Sequence, residues 1–270
     1  MGTDMESLDS ARVKAPASLR TLNRAVTIRD YEDIGVLLNY VDSVQSVFYD
    51  IDSATGDIHI IDGNDTIVKR IEKSTASDID VQNEKNLASG YTDTLKYSRN
   101  IRIWLMPVDV KIDPENPNIV EISDEFGSAD LMNEIQRYYN EKRMIGQKIE
   151  INPANVKYIK PIVKIKRDKN YTEDTVKNAL KSRLIELMKL GTYKLKEDLI
   201  WSDLIRNITD PINGVAGLRS ALFVEVDETC KKYYVAEDIP SELGTVFALK
   251  PKDFPEDGDP YPYEIDIIME

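Results

Sequence analysis

The chain has 270 residues, with 35 Lys and Arg against 48 Asp and Glu, a formal net charge of -13. That balance repels phosphate backbones and argues against a nucleic-acid platform. Hydrophobic residues make up 41% and charged residues 31%, proportions of a globular chain rather than a disordered one, with length for about two domains at roughly 150 residues each. No apolar run approaches the roughly 20 residues a membrane span needs. The single Cys230 excludes an internal disulfide and fits a reducing compartment. Met1 to Glu6 carry neither the basic patch nor the apolar stretch of a secretory signal.

Residues 1–23 are polar without a clear period, which predicts an N-terminal arm or linker. Thr27 is a candidate N-cap with Asp30 in the first turn, and Ile28, Tyr31, Ile34 and Leu38 recur on one face, so a helix is expected over 28–39. Residues 44–51 and 57–61 alternate as strands around the turn cluster Asp52-Ser-Ala-Thr-Gly56, which predicts a hairpin. Residues 63–98 read as a polar surface insertion. Residues 101–106 resume the strand pattern up to Pro107, and 113–118 form a loop. Ser128 is expected to cap a helix carrying Leu131, Ile135 and Tyr138 on one face and ending near Gly146, followed by a strand over 147–151.

The later part is more regular. Residues 156–167 are expected to form a strand with Ile159, Val163 and Ile165 on one face, its ladder incomplete at Pro161. Thr172 caps a helix with the stripe Val176, Leu180, Leu184 and Leu187, closed by Gly191. An extended stretch over 192–200, a short helix over 203–208 capped by Ser202, a turn at Asn213-Gly214 and a strand over 218–226 complete a β-α-β-α-β order. The expected class is α+β, with two small layered domains of helices packed on mixed sheets. The expected division is an arm over 1–23, a first domain over 24–152, a second over 153–238 and an extended C-terminal tail over 239–270. Asn152-Pro-Ala-Asn155 is the candidate hinge, because Pro and Asn interrupt the strand patterns there.

Tests for chemistry return few candidates. His59 alternates with Ile58 and Ile60 and reads as a hairpin side chain rather than a base or ligand. Nucleophile-elbow, phosphate-loop, dinucleotide and zinc motifs are absent from the sequence. Asp50-Ile-Asp52-Ser-Ala-Thr-Gly56-Asp57 resembles the start of a calcium loop, but Ala54 and Ile61 stand where oxygen donors are required. No catalytic, cofactor-binding or metal residue is therefore assigned, and no cofactor is expected. The lysines of 157–169 read as one solvated strand face. The tyrosine pairs Tyr138-Tyr139, Tyr233-Tyr234 and Tyr261/Tyr263 are open between core packing and interface anchoring.

The run Leu19-Arg-Thr-Leu-Asn-Arg24-Ala-Val-Thr27, followed by Asp30-Tyr31, resembles a segment of the baseplate J-like proteins, wedge proteins of contractile phage tails and related injection machines. Gly2-Thr-Asp-Met-Glu6-Ser7 resembles the lead-in to that segment. The strand 156–167, the helix 173–190, Trp201-Ser-Asp-Leu-Ile205 and Asn213-Gly-Val215 follow the order of the family's C-terminal region, so the likeness spans roughly residues 2 to 226. In the family a further N-terminal region precedes this junction, which implies a fragment or a shortened protein. The polar insertion near 72–90 has no counterpart.

The resemblance implies a non-enzymatic scaffold subunit of the tail baseplate, assembled in the bacterial cytoplasm of a phage or tailocin producer. The implied partners are other wedge proteins, tail hub or sheath-initiating proteins, and further copies of the chain in a ring around the hub. Nucleic acid and a membrane span are not among the expected partners. Two other readings compete: a stand-alone protein-binding adaptor, and a tail-associated glycan hydrolase supported only by the abundance of carboxylates.

Overall fold

The computed structural model describes residues 14–16, 18, 21, 24–51, 57–62, 66–71, 100–113, 116–121, 131–145, 147–209, 214–226, 231–252 and 262–269. In chain order its elements are α1 (Ile28–Val36), β1 (Val41–Ile51), β2 (Ile58–Ile61), β3 (Ile67–Ile71), β4 (Asn100–Pro107), β5 (Lys111–Ile112), β6 (Val120–Glu121), α2 (Leu131–Lys142), β7 (Ile149–Pro153), β8 (Asn155–Arg167), α3 (Glu173–Met188), α4 (Trp201–Thr209), β9 (Val215–Val226), β10 (Lys231–Tyr234), β11 (Thr245–Leu249) and β12 (Asp266–Met269). Helices and mixed sheets make the fold α+β. Two compact units divide it: Met1–Val108 with Ile122–Pro153, and Asp109–Glu121 with Ala154–Glu270.

The first unit starts from the Thr27 cap. The Asp30 amide donates to Thr27 Oγ1 at 3.2 Å, and the Asp30 carboxylate accepts the Thr27 and Val26 amides at 2.7 and 3.0 Å. Both partners of a capping box are thus satisfied before α1 begins. Ile28, Tyr31 and Ile34 turn inward, as their spacing predicts. The helix stops at Val36 rather than Asn39, because the Leu37 and Leu38 amides fold back onto the Ile34 and Gly35 carbonyls at 3.3 and 3.1 Å. Ahead of it, residues 14–16, 18 and 21 are helical, Lys14 Nζ donates to Asn39 Oδ1 at 2.6 Å, and Thr21 is buried. The described end of the expected arm is therefore folded.

Helix α1 and helix α2 pack on a five-stranded sheet of order β3-β2-β1-β4-β7, antiparallel except for the β4–β7 pair. The core between them holds Val44, Phe48, Ile101, Ile103, Leu105, Leu131 and Ile135. Ser46 lies among these on the same sheet face. Its hydroxyl donates to the Ile28 carbonyl and its amide to Glu32 Oε1, both at 2.9 Å, so a polar side chain in the apolar face holds the helix in place. Gly35 is the point of closest approach: a Cβ there would meet the Tyr139 hydroxyl and, at 2.6 Å, Val44 Cγ2. The expected insertion over 63–98 begins instead with strand β3, whose β-branched Ile67 to Ile71 run extends the sheet; residues 72–99 lie outside the described residues. In α2 Leu131, Ile135 and Tyr139 are buried, and the expected Tyr138 packs against the same core, partly buried. Ser128 and Gly146 lie outside the described residues.

The second unit is a sheet of order β10-β9-β8-β11, with β12 also paired to β8. Strands β11 and β12 lie end to end along one edge of β8, parallel to it, reaching Ile159 and resuming at Ile162. Pro161 falls in that gap, where a residue without an amide proton is tolerated. The strands of 245–249 and 266–269 correct the expectation of an extended tail over 239–270. Their apolar residues Val246, Phe247, Ala248 and Leu249 are buried, which a free tail would not achieve. Helix α3, capped by Thr172, buries Val176, Leu180, Leu184 and Met188 against Ile159, Val163, Phe223 and Leu249. Met188 extends the stripe by a spacing of four, and the expected Leu187 packs against the same core, partly buried.

Residues 192–200 form turns rather than an extended strand, with Leu195 and Leu199 buried and one isolated bridge, Leu199 to Ile239. Over residues 155–226 the order is therefore β-α-α-β, not β-α-β-α-β. Ser202 lies inside α4; the Trp201 amide at the helix start donates to Asp238 Oδ1 at 2.7 Å, a cap drawn from a distant loop. The short β5–β6 hairpin joins this unit through the Val120 amide on the Ala154 carbonyl, at 2.8 Å, and the Val156 amide on the Asn118 carbonyl, at 2.8 Å. The chain thus passes between units after Val108, Glu121 and Pro153. The last of these lies within the candidate hinge 152–155, and residues 109–121 belong with the second unit, not with the expected first domain 24–152.

Candidate functional site

The candidate residues are held by structural partners. His59 lies half-buried on β2, paired with Asp50 of β1 and Arg70 of β3. Asp57, the last acid of the calcium-like run, is buried, and its carboxylate accepts from Arg70 Nη2 and Nε at 2.7 and 3.2 Å. That acid is neutralised by a guanidinium; residues 52–56 of the run lie outside the described residues. Cys230, Asn213 and Tyr261 also lie outside them. Among the described residues no group of His, Cys, Asp and Glu is arranged to hold a metal ion, and no helix is long and apolar enough to cross a membrane.

The lysines of 157–169 do not form one solvated face. Lys160, Lys164 and Lys166 share a face by alternation, but Lys157 lies on the other, with Ile159 and Val163, and its side chain is only 8% exposed. Its Nζ bridges Glu225 at 3.1 Å and Glu242 at 2.9 Å. Burial alone would lower its pKa, but the two carboxylates more than reverse that and hold it above the usual lysine value. The Tyr234 hydroxyl donates to Glu225 Oε2 at 2.7 Å, and burial is the main reason its own pKa is pushed up. Lys160 in turn pairs with Asp266 at 2.9 Å and Glu264 at 3.5 Å. The ion pairs of Lys157 and Lys160 tie β8 to β9, to the loop before β11 and to β12.

The tyrosines divide by position. Tyr31 and Tyr139 are wholly buried in the first unit, with ring centroids 6.3 Å apart. The Tyr31 hydroxyl donates to Gln147 Oε1, and the Tyr139 hydroxyl donates to the Tyr31 carbonyl at 3.0 Å. Burial pushes Tyr31 to about 12 and Tyr139 well above the usual phenol value. Tyr234 is buried in the second unit, Tyr263 packs at the edge of its core, and Tyr233 is exposed. Arg24 is exposed, Asp30 caps α1, and Tyr31 is a core residue.

Two surface features stand out among the described residues. A shallow cleft of about 410 Å³ in the second unit lies between α3 and β12, edged by Lys177, Lys181, Asp266 and Ile268. Lys177 pairs with Glu173 at 2.5 Å and Asp266 with Lys160, so its charges are mixed and already engaged. The turn joining α2 to β7 in the first unit presents Met144 and Ile145 to solvent. Sequence periodicity passes over such residues, because a two-residue apolar step in a turn has no period; its signal is an aliphatic pair beside Gly146 and flanked by basic residues.

No family model matches the chain, and no curated protein matches it. The two-unit α+β architecture, with its candidate residues engaged in structural contacts, is what defines the protein at the level of class.

Proposed function

We propose that the chain is a structural subunit of the baseplate wedge of a contractile tail, in a phage, a tailocin or a related injection machine, joining other wedge proteins and further copies of itself in a ring around the tail hub. The observation that carries the reading is the run from Leu19 to Tyr31 and the ordered motifs behind it. What supports it is the work those residues do. Ala25, Ile28 and Tyr31 are buried, Thr27 and Asp30 close a capping box, and the Ala25 amide donates to the Lys142 carbonyl at 3.0 Å, joining the entrance of α1 to the end of α2. A wording that resembles a family of scaffold proteins thus serves here to set how one chain segment enters a domain.

The test is co-purification. Tagged chain expressed during tail assembly is expected to be recovered with baseplate components and to be seen at the baseplate in electron micrographs of purified particles. A chain that never travels with tail proteins refutes the reading. Release of sugars from bacterial cell walls by the purified chain would instead favour the hydrolase.

A further inference from the structure

We propose that strand β10 of one copy of this chain adds to strand β12 of another, seating Tyr233 in the cleft between β12 and α3 and extending the sheet of the second unit. Among the described residues β10 pairs only with β9 and β12 only with β8, so each leaves a row of backbone N–H and C=O groups open along one side. An open edge is a template for an incoming strand. The two edges match in length and direction. Each strand has four residues, and both run parallel to β8, because β9 is antiparallel to β8 and β10 to β9. The choice of occupant follows from these two edges, independently of the baseplate reading above.

Shape locates the contact. On β10 Tyr234 is buried in the core, while Tyr233, on the opposite face, is 58% exposed. On β12 Ile267 packs against the core, and the cleft of about 410 Å³ lies beside it, with Ile265, Lys177 and Lys181 also in its walls. Lysine stems add apolar surface to such a wall. Lys177 is paired with Glu173, so the cleft offers more to an aromatic ring than to a free ion. A tyrosine seated in a pocket is a frequent anchor of protein contacts, because its ring brings a large apolar area at a small entropic cost.

Charge agrees with that register. With Tyr233 against Ile267, alternation sets Lys232 beside Asp266 and Tyr234 beside Ile268. The incoming copy is then turned over about the strand axis, which puts the helices of the two copies on opposite faces of the joined sheet. Lys232 is exposed, with its ammonium 4.7 Å from the Tyr234 ring centroid, and the Asp266 side chain is 51% exposed beside Lys160. A cation thus meets a carboxylate, a favourable cross-strand pair. Symmetrical contacts lack this match. Two β10 strands would bring lysines toward lysines, and two β12 strands would bring no ring to either cleft. The contact therefore joins unlike edges, so that one copy can accept another at each end of its sheet.

The experiment is sedimentation velocity of the full chain over a concentration series, with hydrogen exchange measured at the two ends of the series. The wild type is expected to self-associate reversibly, and the outward amides of β12 to exchange more slowly in the associated state. Tyr233→Ala is expected to raise the dissociation constant by about tenfold or more, the loss of one aromatic anchor. Lys232→Glu is expected to weaken association as well. Both side chains are exposed, so an unchanged thermal transition controls for folding. The Tyr233→Ala chain keeps its own cleft and should still bind the wild type, which a symmetrical contact through Tyr233 would not allow. A wild type that stays monomeric overturns the proposal, as does association that survives Tyr233→Ala undiminished or leaves β12 unprotected. Co-purification with tail proteins tests the baseplate reading separately, so either can fail alone.

Discussion

Tyr31→Phe removes one oxygen from the centre of the first unit, and its effect should depend on pH in a defined direction. The Tyr31 ring is fully buried and its hydroxyl donates to Gln147 Oε1, while Gln147 is itself only 9% exposed. At neutral pH the variant leaves that carbonyl without its donor, a cost of about 1–3 kcal/mol. Burial raises the Tyr31 phenol from 10.0 to about 12 in the folded chain. Below pH 10 both states hold the proton, so the contribution of the hydroxyl is complete. Between the unfolded and folded pKa values the unfolded chain releases its proton while the native chain keeps it. The wild type then loses about 1.4 kcal/mol per pH unit from this residue, about 3 kcal/mol across the interval. Phenylalanine has no proton to lose, and the alkaline losses of the other buried tyrosines are common to both proteins. Urea unfolding of the two proteins, compared from neutral pH to about pH 11.5, is therefore expected to show the wild-type advantage shrinking by about 2 kcal/mol above pH 10. A gap that stays constant across that range refutes the argument.

Three further outcomes follow from the geometry. Gly35→Ala places a methyl group against the Tyr139 hydroxyl and Val44, which should cost about 1–3 kcal/mol in urea unfolding, more than Ala substituted at an exposed helical position. Thr27→Ala should cost about 1 kcal/mol. Asp30→Ala should cost a similar amount, and the double variant less than the sum, because one capping box holds both residues. Lys157→Met leaves Glu225, 18% exposed, without its cation, and should cost about 1–3 kcal/mol. Adding Glu225→Gln should recover part of that loss, and a double-mutant cycle without coupling would show that the pair contributes nothing.

Local signals were legible where a single segment carries its own physics. Thr27 and Thr172 start their helices because a hydroxyl placed before an amphipathic run captures a free amide. Alternating Ile159, Val163 and Ile165 mark the buried face of β8 for the same kind of local reason. Errors appear where the partner is distant. Asp238 caps α4 from 37 residues away, so Ser202 looked like the cap. Tyr139 joins Tyr138 against the core, and is the more deeply buried of the two, because Gly35 leaves room for its hydroxyl beside α1.

By itself, then, the order of residues determined the starts of α1 and α3, the α+β class and the alternation of β8. Each depends on spacing within a few turns of chain, where geometry is set by the backbone. Only the tertiary structure decided that residues 109–121 belong with the second unit, that 245–249 and 266–269 complete its sheet edge, and that Lys157 is buried between two carboxylates. It also decided that Ile145 stands in solvent. Such features depend on which distant segment supplies the missing hydrogen bond, counter-charge or apolar cover, and that choice is made by the packed chain as a whole.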